Sequence, residues 1–288
     1  MRYRGRSFSK EEIEVIRQII SEAPEPKYRR HISKEVCQRL NWTRPTGSLK
    51  DMAARVALLQ MEKDGLIKLP PVVESARISR LLSHPKPILS GDLPPLESVH
   101  GAIKDLRLEF SIVGKSESKL WNAYIDRYHY LGYKKLGGAQ LRYIVRSNGK
   151  LVAFFGFSAA AWKVKSRDEF IGWTREQKER NLHLVINNSR FLILPSVETP
   201  HLASHLLGKV ARQLPVDWHR TYNYKPVLME TFVQKDKFKG TCYRAANWRY
   251  LGDTKGRGKF DITHKNPLPV KSLWIYPLTN NLASLLHA

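Results

Sequence analysis

Apolar positions three and four residues apart dominate the start of the chain. Ser9 and Glu12 form a capping box, and Ile13, Ile16, Ile19 and Ile20 then recur on one face, so the spacing predicts a helix over residues 10–21. Pro24 and Pro26 end it. Ser33 is expected to cap a short second helix that turns Val36, Cys37 and Leu40 inward, and residues 43–47 read as a turn. A third helix is expected over residues 49–64, with Met52, Val56, Leu59 and Met61 as its apolar positions and Gly65 as its stop. Leu66, Ile67 and Leu69 follow as an apolar strand before two prolines.

The order helix, helix, turn, helix, strand is that of a winged-helix-like domain occupying residues 1–70. In such a module Arg44, Lys50 and Arg55 would stand on or beside the recognition helix, where basic side chains meet DNA; a small helical bundle is the other reading. Residues 71–110 are rich in proline and read as a linker. From residue 111 the period changes. A helix over 119–128 precedes two alternating runs, 141–146 and 151–158, joined by Asn148-Gly149, a strong hairpin signal. Further strands are expected over 190–194 and 226–232, a helix over 201–214 between them, and a helical segment over 243–248. The fold class expected for residues 111–288 is α+β, a curved mixed sheet flanked by helices.

Charge changes the picture more than composition does. The 288 residues carry 49 Lys and Arg against 26 Asp and Glu, a formal charge of +23. Residues 111–288 account for +17 of it and residues 1–70 for only +6, so the partner expected, DNA, should meet mainly the second domain. No run of 18 apolar residues occurs, which excludes a spanning helix and points to a cytoplasmic protein without a membrane partner. Two distant cysteines, Cys37 and Cys242, make neither a disulfide framework nor a zinc site. Glycine-rich nucleotide loops and hydrolase elbows are absent, and Asp217, Glu230, Asp236 and Asp253 are scattered, so no metal is expected, and a metal nuclease or transposase site stays open but without support, since the spacing does not say which of them the fold brings together.

Several residues remain as candidates for chemistry. Tyr128-His129-Tyr130 joins a group that titrates near neutrality to two phenols, suited to proton transfer by His129 and Tyr130, to stacking on an extruded base, or simply to plugging the core. Asn187, Asn188, Ser189 and Arg190 could contact a phosphate or a base edge, or form a polar turn. Glu230 interrupts an apolar strand and is either a general base or half of a buried ion pair with a neighbour such as Arg190. Arg244, Asn247 and Trp248 share a short helix on which the indole would stack on a base or fill the core. Lys255, Arg257 and Lys259, separated by glycines, make a basic loop able to approach phosphates closely.

Three motifs carry a resemblance. The segment Gly-Thr-Cys-Tyr-Arg-Ala-Ala-Asn-Trp-Arg-Tyr-Leu-Gly at residues 240–252 resembles Mom-like phage DNA-modification proteins. Together with Tyr128-His129-Tyr130-Leu131-Gly132 and Lys255-Gly256-Arg257-Gly258, it resembles still more the DruA family of the Druantia anti-phage system, whose domain also occurs attached to transposases. The order of elements is similar to that of GNAT acyltransferases. The resemblance implies a DNA-binding protein of an anti-phage defence system or a mobile element. It also leaves open a Mom-like base-modifying acyltransferase, or a non-catalytic adaptor for a helicase or transposase, so whether the chain is an enzyme is undecided. GNAT enzymes cradle the coenzyme A pyrophosphate with a glycine-rich turn at a helix N-terminus. Here Pro195-Ser196-Val197-Glu198-Thr199-Pro200 stands in that place with a carboxylate, which speaks against acyl-CoA and leaves the cofactor unknown.

Overall fold

A computed structural model describes residues 1–44, 47–71, 93–256 and 268–288. The chain divides into two compact units, Met1–Pro87 and Ile88–Ala288.

The first unit opens with a tiny hairpin, β1 (Arg2–Tyr3) and β2 (Arg6–Ser7), followed by α1 (Lys10–Glu22), α2 (Arg29–Arg39) and α3 (Asp51–Lys63). The Ser9–Glu12 capping box is present in both directions. Helix α2 begins four residues before Ser33. That serine lies buried inside it and donates its hydroxyl hydrogen bond to the Arg30 carbonyl, the alternative by which a serine tolerates a helix interior. Helix α3 turns a different face inward than expected. Ala54, Ala57, Leu58 and Met61 are buried, whereas Met52, Val56 and Leu59 are exposed. Of the expected apolar positions only Met61 is buried, and the two alanines let the helix pack closely on that face. No strand forms at Leu66–Leu69 among the described residues; Ile67 and Leu69 are instead buried in the helical core.

The second unit is built on a seven-stranded mixed sheet. Its strands are β4 (Leu108–Ile112), β5 (Gln140–Ser147), β6 (Lys150–Ala159), β7 (Val185–Ile193), β9 (Leu228–Gln234), β10 (Arg249–Asp253) and β11 (Lys271–Pro277), in the order β10-β11-β9-β7-β6-β5-β4. A parallel two-residue pair, β3 (Val99–His100) with β8 (Val197–Glu198), stands apart from it. Residues 99–110, expected as linker, thus hold β3 and most of β4. The β5–β6 turn is tight, with positive φ at both Asn148 and Gly149, as a two-residue hairpin loop demands.

Helices cover both faces of the sheet. One face packs on α7 (Leu202–Tyr222) and α8 (Thr241–Ala245), with Leu206, Val210, Leu214 and Trp218 against Phe155, Met229 and Val233. On the other face lie α4 (Ser118–Tyr128), α5 (Lys165–Ile171) and α9 (Leu282–His287), in two smaller apolar clusters, and α6 (Arg175–Asn181) is tied to α9 by Asn181, whose Nδ2 donates to the Leu286 carbonyl at 3.0 Å. Helix α7 runs through Pro215 to Tyr222, beyond the expected stop at residue 214. Past the proline Asp217 and Trp218 are buried against the sheet, where Asp217 accepts from the Tyr143 hydroxyl at 3.0 Å.

Candidate functional site

Among the described residues only one neighbouring pair in the large sheet is parallel, and it is short. Strands β7 and β9 pair from Val185↔Leu228 to Asn188↔Thr231; beyond that point neither continues the ladder with the other. A β-bulge helps to part them: Gly156 faces Arg190 and Phe157 faces Asn188, so Ser189 is the extra residue on β7. The strands are joined through α7, a parallel crossover whose long helix covers one face of the gap.

Two clefts open at this divergence. The first, of about 410 Å³, is walled by Asn188, Ser189, Phe191, Thr231 and Val233 from the strands, by Tyr128–Leu131 after α4, and by Phe238–Tyr243 at the start of α8. Gly240 begins α8 with φ +72°, and a Cβ there would lie 2.7 Å from the Trp274 ring, so only glycine brings this wall against the sheet. The second, of about 610 Å³, shares Leu131, Asn188, Ser189 and Phe232 with the first, and adds Lys134, Lys135, Asn187, Arg190, Gln234, Thr254 and Lys271. Four cations therefore line it, and among the described residues no carboxylate lines either cleft. Burial lowers the Lys271 pKa, and the charges of Arg190 and Lys134 lower it further.

Asn188 lies where the clefts meet. It is 4% exposed, yet neither its Nδ2 nor its Oδ1 has a hydrogen-bond partner. Its backbone carbonyl is occupied, accepting from the Thr231 hydroxyl at 3.0 Å, and the Oδ1 of the neighbouring Asn187 is also unpaired. A buried amide with both ends unmet costs on the order of 1–3 kcal/mol per polar group.

His129 is buried at the first cleft. Its Nδ1 accepts from the Leu131 N–H at 3.2 Å, which leaves the proton of a neutral ring on Nε2. Burial and the positive charge of Arg190 push its pKa down to about 4. It is therefore a neutral imidazole at pH 7. Tyr130 stacks on it at 4.8 Å between ring centres and packs on Phe238 at 5.1 Å; burial raises the Tyr130 pKa. Arg190 donates to the carbonyls of Gly132 and Ser189 at 3.2 and 2.7 Å, so the Tyr128–Gly132 motif and the Ser189 bulge hold its guanidinium.

Glu230 lines neither cleft. It is fully buried on β9 and paired with Arg167 of α5, whose Nη1 lies 3.3 and 3.1 Å from its two oxygens. The ion-pair partner is Arg167, not Arg190. Burial pushes the carboxyl up to about 7 against the pull of that guanidinium. Asp168 and Lys178 extend the network. Trp248 packs among Tyr243 and Tyr276 in the core at 5.2 and 5.7 Å between rings. Arg244, Asn247 and Lys255 are exposed, Asn247 with φ +63° after α8, whereas Arg257 and Lys259 fall outside the described residues. In the first unit Arg44 is exposed, Lys50 is partly exposed, and Arg55 is paired with Asp51 at 2.7 Å.

The cleft lysines were not singled out from the sequence. Lys134-Lys135 directly follow the Tyr128–Gly132 motif and could have been; Lys271 and Arg167 carry no local signal. No group of three or more His, Cys, Asp or Glu is placed to hold a metal ion among the described residues, and no described helix is long and apolar enough to cross a membrane.

The family described as Druantia protein DruA matches residues 60–267, well over half of the chain. The chain belongs to that family. No curated protein matches it. Among solved structures, a probable acetyltransferase from Staphylococcus epidermidis is similar at 8% identity, covering 60% of this chain and 99% of that one with a TM-score of 0.41. A Drosophila melanogaster polyamine N-acetyltransferase gives 10% identity, 59% and 99% coverage and 0.38. A Bacillus subtilis acetyltransferase in complex with CoA gives 9% identity, 60% and 99% coverage and 0.34. The family match includes every residue that lines the first cleft and most of those that line the second, ending before Leu268, Pro269 and Lys271.

Proposed function

We propose that this protein acts on DNA in anti-phage defence and holds the nucleic-acid backbone in the second cleft of its larger unit. One observation carries this reading: Lys134, Lys135, Arg190 and Lys271 converge on a single concavity that no described carboxylate lines. Cations gathered in this way repel one another, and the desolvated Lys271 costs further, so the arrangement is favourable when a polyanion neutralises it. The family name supplies the defence context, and the net charge of +23 the long-range attraction.

Binding of a short DNA should weaken steeply with salt. Replacing Lys134 and Lys271 by alanine should lower the log–log salt slope by about 2, since each phosphate contact contributes roughly 0.9. A fluorescence-anisotropy titration at several salt concentrations measures it. An unchanged slope in the double variant would place the backbone elsewhere.

A second reading, transfer of a group to the DNA, is favoured by His129, a neutral imidazole at the first cleft whose Nε2–H could donate a hydrogen bond to a reacting group there. Mass spectrometry of nucleosides from cells expressing the protein tests it: a new nucleoside absent from a His129→Gln strain supports it, and an identical profile in both opposes it.

A further inference from the structure

The first cleft differs in chemistry from the cationic one beside it. Rings make up much of its wall, Phe191, Tyr130, Phe238 and Tyr243, with Lys239 as the one described cation on it, and at its junction with the second cleft lies the amide of Asn188, with one donor and one acceptor group unmet. His129 adds to this wall a neutral ring whose Nε2 makes no hydrogen bond among the described residues. A ligand suited to both clefts has a flat apolar body, an edge with a donor beside an acceptor, and an attached phosphate. Every nucleobase carries such an edge, and a side-chain amide meets it with two parallel hydrogen bonds.

We propose that the first cleft takes one unstacked nucleobase of a DNA strand, reads its edge with Asn188, and leaves the flanking phosphates to Lys134, Arg190 and Lys271. This rests on the reading that DNA lies in the cationic cleft. The amide is held ready by the fold: the Ser189 bulge parts β7 from β9 immediately after the Asn188–Thr231 pair, and neither end of the amide meets a hydrogen-bond partner among the described residues. A stacked duplex cannot offer a base to such a recess, so the substrate is a single strand or a base turned out of its pair. Aromatic walls serve any base by stacking, while the amide fixes the orientation.

The test compares two oligonucleotides of equal length, one with all its bases and one abasic at every position, against the full-length protein. The wild type should bind the base-bearing strand about ten-fold more tightly, stacking and the amide together supplying the difference. Asn188→Leu should lose the amide's share of that preference and keep only what ring stacking supplies, with binding to the abasic strand unchanged. Asn188→Ala, which asks for no extra room, should do the same and guards against a packing fault in the leucine variant. Equal affinity of the wild type for both strands overturns the base site while leaving backbone binding intact; failure to bind either strand overturns both. Coenzyme A is the competitor arm. If it displaces the base-bearing strand at concentrations where an equally charged polyphosphate does not, the cleft is built for that cofactor and the proposal falls.

Discussion

Glu230 and Asn188 stand on paired strands one register step apart, both are buried, and they are treated in opposite ways. Glu230 shares its face of the sheet with α5, and Arg167, Asp168 and Lys178 complete a closed network around it. Asn188 points toward the other face, just where β7 and β9 stop pairing, and its amide meets nothing. Burial of a polar group therefore says little about function. What distinguishes the two is whether the fold finishes the group's hydrogen bonds, and only Asn188 remains available to a ligand. The same contrast holds for charge, which is balanced around Glu230 and of one sign around Asn188.

Breaking the closed network should have the largest effect. Glu230→Gln leaves the fully buried Arg167 with Asp168 as its only remaining acidic partner and should cost about 3–5 kcal/mol in denaturant unfolding. The joint change Glu230→Leu with Arg167→Met should recover most of that loss; if it does not, the ion pair is not what the single variant broke. Asn188→Leu should have the opposite sign, raising stability by about 1–2 kcal/mol by removing an unmet amide, while weakening binding to base-bearing strands. A destabilised but binding-competent leucine variant would make Asn188 a structural residue and erase the comparison.

Acid sharpens the contrast further. The folded pKa of His129, about 4, lies below its ordinary 6.5, so between these values the unfolded chain binds more protons. The stabilisation is therefore complete above about pH 6.5 and is lost as pH falls toward 4. The His129→Gln variant should show a flatter stability profile than the wild type across that window, by on the order of 3 kcal/mol. Equal slopes would mean that the imidazole is more solvated than its burial implies. The smallest change is expected in the first unit. Arg55→Ala removes a partly exposed pair with Asp51, should cost under about 1 kcal/mol, and should leave the salt slope of DNA binding within error of wild type.

Local signals were legible in the sequence and long-range ones were not. The Ser9 capping box and the Asn148-Gly149 turn are fixed by residues within four positions, and both form as expected. Ser33 misled because a serine has an accepted use inside a helix when its neighbours are buried, and the helix expected to end at residue 214 runs on through Pro215. Strands β10 and β11 escaped notice: β10 is mostly exposed, and the pairing of β11 with β9 depends on residues some 40 positions away. At the site, the Tyr128–Gly132 motif and the Asn187–Arg190 run could be marked as unusual, and the fold brings both to the same divergence of strands. Which polar groups stay unmet depends on that divergence, so Glu230 stood out from its strand while Asn188 stood in a polar run. The +17 concentrated beyond residue 110 pointed to the second unit, but Lys271 could join the cleft only once β11 was paired.

Whether the Asn188 amide is kept free for a nucleobase is seen directly by nuclear magnetic resonance of protein labelled with nitrogen-15 at asparagine. One side-chain NH₂ pair, assigned by its absence in Asn188→Leu, should shift as a base-bearing DNA strand is added at low salt and should stay in place with the fully abasic strand. An Asn188 resonance that does not move when the protein is saturated with the base-bearing strand would contradict that role.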